Sequence, residues 1–162
     1  SSILDIGRTE GAQFEQAKNI DLVEFIKYKT NDYNMLAAKK SITIKFSSNV
    51  SSLQMMIQET LFNQILQNFV QNAIKFTPNG KTIKIKLKKI DDKVTLNVID
   101  EGIGIDENID VFAPFKKVGK ENGVGLGLYL AKIASDALNA KISIKNREDG
   151  KNGAIAKLEL NL

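Results

Sequence analysis

Apolar and polar residues change rhythm several times along this chain, and each change marks an element. From Asp21 onward, Leu22, Phe25, Ile26, Tyr33, Leu36 and Ala37 recur at the spacing of one helical face. Asp21 followed by Glu24 is a capping-box pattern that satisfies free amides of a first turn, so a helix is predicted to begin there. The rhythm then switches to alternation, with Ile42, Ile44 and Phe46 separated by polar neighbours as in a half-buried strand. A second helix is predicted from about Glu59 to Phe76, ending where Thr77-Pro78-Asn79-Gly80 cannot continue it. Two alternating runs follow, Ile83, Ile85, Leu87 and then Val94, Leu96, Val98, joined through Asp91-Asp92-Lys93 as a hairpin.

Residues 101 to 125 are rich in glycine and lysine and too long for an ordinary connection, which points to a functional loop or lid. A third helix is expected from Leu126 to Leu138, with Leu126, Leu130, Ile133, Ala134 and Ala137 inward and Asn139 at a left-handed exit. A last hairpin pairs Lys141 to Asn146 with Ala154 to Leu162. The expected fold is α/β: a two-layer sandwich in which a mixed, mostly antiparallel sheet of about five strands carries three main helices on one face.

Composition narrows the functional classes. The 162 residues, 43% hydrophobic and 26% charged, suit one globular domain with a real core. No run is long and apolar enough to span a bilayer, and no signal core follows a basic N-terminus. The absence of cysteine excludes disulfides and thiolate metal sites. A net charge of +4 is either an electrostatic footprint or a solvated basic surface; the lysines are spread among 19 acids, and nucleic acid is not expected as a partner. The chain contains no histidine, so histidine acid-base catalysis, histidine metal ligation and phosphohistidine within this chain are all excluded.

Three stretches carry candidate chemistry. In the second helix, at about 100° per residue, Asn68, Asn72 and Lys75 fall within an arc of roughly 60° beside an apolar face that includes Phe62, Ile65 and Phe69. A carboxamide oxygen is a hard, neutral ligand suited to Mg2+, and a nearby lysine can neutralise phosphate. The alternative is an amphipathic helix with a solvated polar face, although asparagine is a poor helix former. The second stretch, VIDEGIGID, puts Asp100 at a strand end followed by Gly102, Gly104 and Ile105. Such a carboxylate can accept from the exocyclic amine of adenine, and glycines let a purine approach; an acidic turn, or a metal site of Asp100, Glu101 and Asp106, are the alternatives. The third stretch, NGVGLGLYLAK, places Gly123, Val124, Gly125, Leu126, Gly127 and Leu128 where a loop opens a helix, an arrangement that exposes amides to an anion or simply permits close packing. Neither the P-loop nor the dinucleotide glycine pattern is present.

In this order and at these separations, the three stretches resemble the N box and two glycine boxes of the histidine kinase, gyrase, Hsp90 and MutL ATPase superfamily. Between them DVFAPFKK, Asp110 to Lys117, is similar to the phenylalanine box of sensor histidine kinases. The resemblance implies that Asn72 holds Mg2+, that Asn68 and Lys75 approach the metal and phosphates, and that Phe76 borders the nucleotide. It further implies that Asp100, Gly102, Gly104 and Ile105 receive adenine, that residues 123 to 128 support the triphosphate, and that Lys116, Lys117 or Lys120 reaches the γ-phosphate. Hydrolytic members carry a glutamate one turn before the metal-binding asparagine; here that position is Asn68, which cannot act as a base, so the chain resembles a histidine kinase. Gln58 and Leu61 depart from the family's usual acid and arginine.

The expected activity is transfer of the γ-phosphoryl group of Mg-ATP to a histidine on a separate dimerisation domain, with a non-transferring regulatory module or pseudokinase as the rival. Residues 1–17 are expected to be the end of the second dimerisation helix and a linker, and 18–162 the ATP-binding catalytic domain. The implied partners are ATP, the dimerisation and phosphotransfer domain of the parent kinase and, indirectly, a response regulator. The implied setting is cytoplasmic, with membrane contact only through a parent sensor.

Overall fold

In the computed structural model of the chain, the described residues are 7, 8, 11, 15–114 and 126–162. Among them the order is β1 (Lys18–Asp21), α1 (Leu22–Ala37), a 3-10 turn (Ala38–Lys40), β2 (Thr43–Ser48), β3 (Gln54–Ile57), α2 (Glu59–Phe76), β4 (Thr82–Ile90), β5 (Lys93–Ile99), α3 (Gly127–Ala137), β6 (Lys141–Asn146) and β7 (Ala154–Asn161). A five-stranded sheet runs β2-β4-β5-β7-β6; β2 lies parallel to β4, and the other neighbours are antiparallel. The predicted mixed sheet with three main helices is therefore observed.

Alternation decides which face is buried. Ile83, Ile85 and Leu87 of β4, Val94, Leu96 and Val98 of β5, and Ala156, Leu158 and Leu160 of β7 point into one core, which is closed by Leu22 and Ile26 of α1, Phe62, Ile65 and Phe69 of α2, and Leu128 and Ala131 of α3. Phe25 and Phe62 meet edge to face at 5.7 Å, which fastens α1 to α2.

Three details depart from the hydrophobic pattern. The short antiparallel pair β1–β3 forms a second sheet that the sequence analysis does not anticipate. Leu36, expected inward, is 49% exposed, because the buried stripe of α1 runs through Leu22, Ile26, Thr30, Tyr33 and Ala37. Thr30 can occupy that stripe because its hydroxyl donates to the Ile26 carbonyl at 2.7 Å. On α3, Ile133 and Ala137 are half-buried, since the buried stripe runs through Leu128, Leu130, Ala131, Ala134 and Ser135. Asn139 does take the left-handed conformation, at φ 55°.

Side-chain amides complete what the strands leave open. Asn34 on α1 accepts from Ile44 N at 2.8 Å and donates to Ile44 O at 3.0 Å, so it reads the free edge of β2 as another strand would. Asn49 does the same to Lys89, at 2.8 and 2.9 Å. At the C-terminal end of α2, Lys40 Nζ donates to the carbonyls of Ile74 and Lys75, at 2.8 and 3.2 Å, where a cation is favoured by the helix dipole.

Asp21 caps α1 as expected, its Oδ1 accepting from Val23 N at 3.0 Å and Glu24 N at 3.4 Å. The carboxylate also accepts from Leu53 N at 3.1 Å and Ser52 Oγ at 2.8 Å, and so ties α1 to the approach of β3. Burial pushes the Asp21 carboxyl up, but the bonds from Leu53, Ser52, Glu24 and Val23 outweigh it and hold the group below its ordinary value. Its contribution is then present above the unfolded aspartate pKa and disappears as pH falls through the lower folded value. Asp21→Ala is expected to lower unfolding free energy by about 1 to 2 kcal/mol in urea denaturation. Asp21→Ser should recover only part; full recovery would show that the tie to Ser52 and Leu53 adds nothing.

Candidate functional site

The second helix carries the carboxamides as its periodicity requires. Along α2, Phe62, Ile65, Leu66, Phe69 and Ala73 are buried, and Asn68 sits on the border of that face at 8% exposure. Among the described residues its Nδ2 has no hydrogen-bond partner. A buried amide without a partner costs on the order of 1 to 3 kcal/mol, so this position is held against the stability of the fold. Asn72, one turn on, is half-buried; Lys75 is exposed, with Nζ 6.0 Å from the ring centre of half-buried Phe76.

Across from Asn68 lies the start of α3. A Cβ added to Gly127 would stand 3.6 Å from Asn68 Oδ1, so the bare backbone of α3 faces the carboxamide. Leu126 precedes the helix with no side-chain cap, and no acidic residue lies in the first turn. That end carries the positive pole of the helix dipole, and among the described residues no side chain caps it. The Leu126 and Leu128 side chains are buried, and Leu128 belongs to the core, so what that residue offers at this end is backbone.

The remaining element is built around Asp100, 5% exposed just past the end of β5. Its Oδ1 accepts from Gly102 N and Ala154 N, both at 2.9 Å, while its own N–H donates to Ala154 O at 3.0 Å. Among the described residues Oδ2 accepts nothing. Burial pushes the carboxyl above its ordinary range, opposed by those two amides and by Arg147. Arg147 donates to the Asp100 carbonyl at 3.0 Å and forks onto Asp149, at 2.6 and 3.2 Å.

Gly102 is required by close approach: a Cβ there would lie 2.6 Å from the Phe76 carbonyl at the end of α2. Gly104 has φ +83°, and a Cβ would run into Asn146 Oδ1. Asn146 accepts from Ile105 N at 2.7 Å and donates to Ile105 O at 2.9 Å, fixing the half-buried Ile105. The alternative carboxylate metal site is not formed, for each acid is engaged separately. Glu101 accepts from Thr82 N at 2.7 Å and Asp106 from Asn108 N at 3.0 Å, and among the described residues no three potential ligands cluster.

Asn68, Asn72, Lys75, Phe76, Asp100, Gly102, Gly104, Ile105, Leu126, Gly127 and Leu128 are thus placed on α2, the loop after β5 and the start of α3. Lys116, Lys117, Lys120, Gly123, Val124 and Gly125 lie outside the described residues. The sequence reading missed the shell behind Asp100 (Thr77, Asn146, Arg147 and Ala154), because each comes from a different element and no spacing announces them. Thr77, fully buried, accepts from Glu101 N at 3.4 Å, yet in the sequence it reads only as a helix stop. It also gave no role to Val111, the second residue of the phenylalanine box, whose side chain is buried in the core.

A two-layer α/β domain with an amide-bearing helix, a buried strand-end carboxylate and an uncapped glycine-led helix defines a nucleotide-binding domain. The chain belongs to the family of histidine kinase-, DNA gyrase B- and HSP90-like ATPases, whose profile matches residues 57–162. It is similar to the catalytic domain of histidine kinase ThkA, with 31% identity and a TM-score of 0.80 over 90% of this chain and 95% of that one. Full-length ShkA in complex with AMPPNP shares the fold at 24% identity and a TM-score of 0.84, covering 98% of this chain and 34% of that one. Sensor protein KdpD of Clostridium acetobutylicum is 30% identical over 98% of this chain, which spans only 18% of that relative. The matched fold is that of a histidine kinase catalytic domain.

Gly102→Ala should push the loop from the end of α2 and cost about 1 to 3 kcal/mol, as overpacking does, read as a fall in the denaturation midpoint. An unchanged midpoint would mean that the contact with Phe76 is readily relaxed.

Proposed function

We propose that this chain binds Mg-ATP and transfers its γ-phosphoryl group to a histidine on the dimerisation domain of a parent sensor kinase. The observation that carries the reading is Asn68: a buried carboxamide whose Nδ2 has no partner among the described residues, facing the start of α3, where hydrolytic relatives have a glutamate. The donor set suits a hard cation and a polyphosphate, since it offers neutral amides, a lysine and free helix amides without clustered carboxylates.

In this reading Asn72 ligates Mg2+, and Asn68 and Lys75 orient the phosphates. Mg2+ supplies charge neutralisation for the transferring phosphoryl group. Asp100 accepts from the adenine amine through Oδ2, and guanine, with a carbonyl there, is disfavoured. Gly102 and Gly104 keep the purine path open, and Phe76 borders it. The amides at the start of α3 face the triphosphate, and one of Lys116, Lys117 and Lys120 meets the γ-phosphate.

The acceptor imidazole is already a nucleophile, so no base is needed from Asn68: the P–N bond forms as the P–O bond to ADP breaks. Positioning and charge neutralisation are what this chain contributes. The acceptor lies on another domain, because this chain has no histidine. One solved ThkA structure, 29% identical, is a complex with the response regulator TrrA, which supports a response regulator as the downstream partner. A cytoplasmic setting is part of the same reading; among the described residues no helix is long and apolar enough to cross a membrane.

Supplied with the dimerisation domain of its parent and radiolabelled ATP, the chain should place an acid-labile phosphate on a histidine there, while hydrolysing ATP slowly alone. Brisk hydrolysis, or ATP binding without transfer, would overturn the reading. Asn72→Ala should abolish the Mg2+-dependent part of ATP affinity in calorimetry with the fold intact. Asp100→Ala should weaken ADP binding by about 1.5 to 3 kcal/mol, the usual worth of a hydrogen bond to a charged group. Because the Asp100 carboxyl is raised, ADP affinity should fall on acidification at a pH where an ordinary aspartate is still ionised, and this loss should be absent in Asp100→Ala.

A further inference from the structure

The lysines that look dispersed in the sequence are gathered by the sheet. Residues paired across strands share a face, so the register places Lys45, Lys84, Ile99, Ile155 and Lys145 on one rung of the side away from the helices. The next rung reads Ser47, Lys86, Asn97, Lys157 and Ser143. Then come Lys88, Thr95, Glu159 and Lys141, and last Ile90, Lys93 and Asn161.

Eight lysines, Glu159 and Glu148, which lines the same face with Lys145 and Lys157, give it a net +6, against +4 for the whole chain, so the remainder carries a net −2. Glu159 is paired with Lys157 at 3.1 Å, and its carboxyl is held below the ordinary range by Lys157 first, with Lys93 and Lys141 adding to it. Among the described residues the other seven lysines of the face make no ion pair, and beyond the first rung Glu101 is engaged with Thr82 N. Rungs about 7 Å apart on strands about 4.8 Å apart spread these charges over a side of roughly 20 Å. Neighbouring lysines therefore stand within or near one Debye length, about 8 Å at physiological salt, and reinforce one another.

We propose that this open sheet face docks on an anionic lipid bilayer. It is broad and cationic and carries flexible ammonium stems. Single-stranded nucleic acid is disfavoured, because no rung offers an aromatic ring on which a base could stack. The face lies on the opposite side of the sheet from α2, so the docked chain keeps the proposed nucleotide site toward solvent.

The test is co-sedimentation of the chain with phosphatidylcholine vesicles, with and without phosphatidylserine. Binding is expected only with phosphatidylserine and should be lost at high salt. Each lysine neutralised should weaken it about fivefold, so Lys84→Gln/Lys86→Gln/Lys88→Gln should weaken it about a hundredfold, with an unchanged melting temperature. Lys27→Gln/Lys29→Gln/Lys39→Gln removes the same charge from the helical side and should cost far less. No preference for phosphatidylserine, equal losses in the two triple variants, or tighter binding to a DNA duplex than to the vesicles would each overturn the proposal.

Discussion

One buried oxygen holds together the end of this domain where β5, the glycine loop and β7 meet. Asp100 Oδ1 receives the amides of Gly102 and Ala154, so it joins the exit of β5, the glycine loop and the start of β7 at a single point. The loop can then lie against the end of α2, where only a glycine fits beneath the Phe76 carbonyl. Arg147 closes the arrangement from behind by holding the Asp100 carbonyl while it is itself forked by Asp149, whose carboxyl is lowered to about 2 by that contact. Burial raises the energy of the Asp100 charge, and the two amides repay it in part. The direction of the carboxylate is thus set by backbone.

Much of this was legible because periodicity follows burial. The alternating runs of β4 and β5 and the apolar stripe of α2 appear where their spacing puts them, and the arc of Asn68, Asn72 and Lys75 follows from helix geometry alone. What stayed hidden depends on contacts between distant residues. Three asparagines, at positions 34, 49 and 146, each grip both backbone groups of a residue in another segment, on Ile44, Lys89 and Ile105 respectively. In the sequence each is one polar residue among many. Leu36 was misplaced for the converse reason: it has the right hydrophobicity but lies off the stripe, and a threonine that satisfies its own hydroxyl takes the inner position. The pair β1–β3 is only four residues on each side, too short for alternation to stand out.

Charge shows the same limit of one-dimensional reading. Lysines of β2, β4, β5, β6 and β7 alternate with apolar residues, and that alternation separates the two faces of the sheet. One face became a core and the other a cationic plane, by a single pattern read in opposite phases. The modest total charge of the chain conceals this separation.

The two segments that flank residues 115–125 are each tethered independently, with Asp100 and Val111 on one side and the packing of α3 against α2 on the other. The fold therefore fixes both ends of that connection. For a loop whose ends are already fixed, doubling the length costs only about 0.6 kcal/mol of closure entropy. A change of length between fixed ends is thus cheap in closure entropy, whereas the anchoring positions tolerate little change. Relatives of this architecture can therefore differ in the length of chain between these anchors while the sheet, the carboxylate and the asparagine-bearing helix remain as they are.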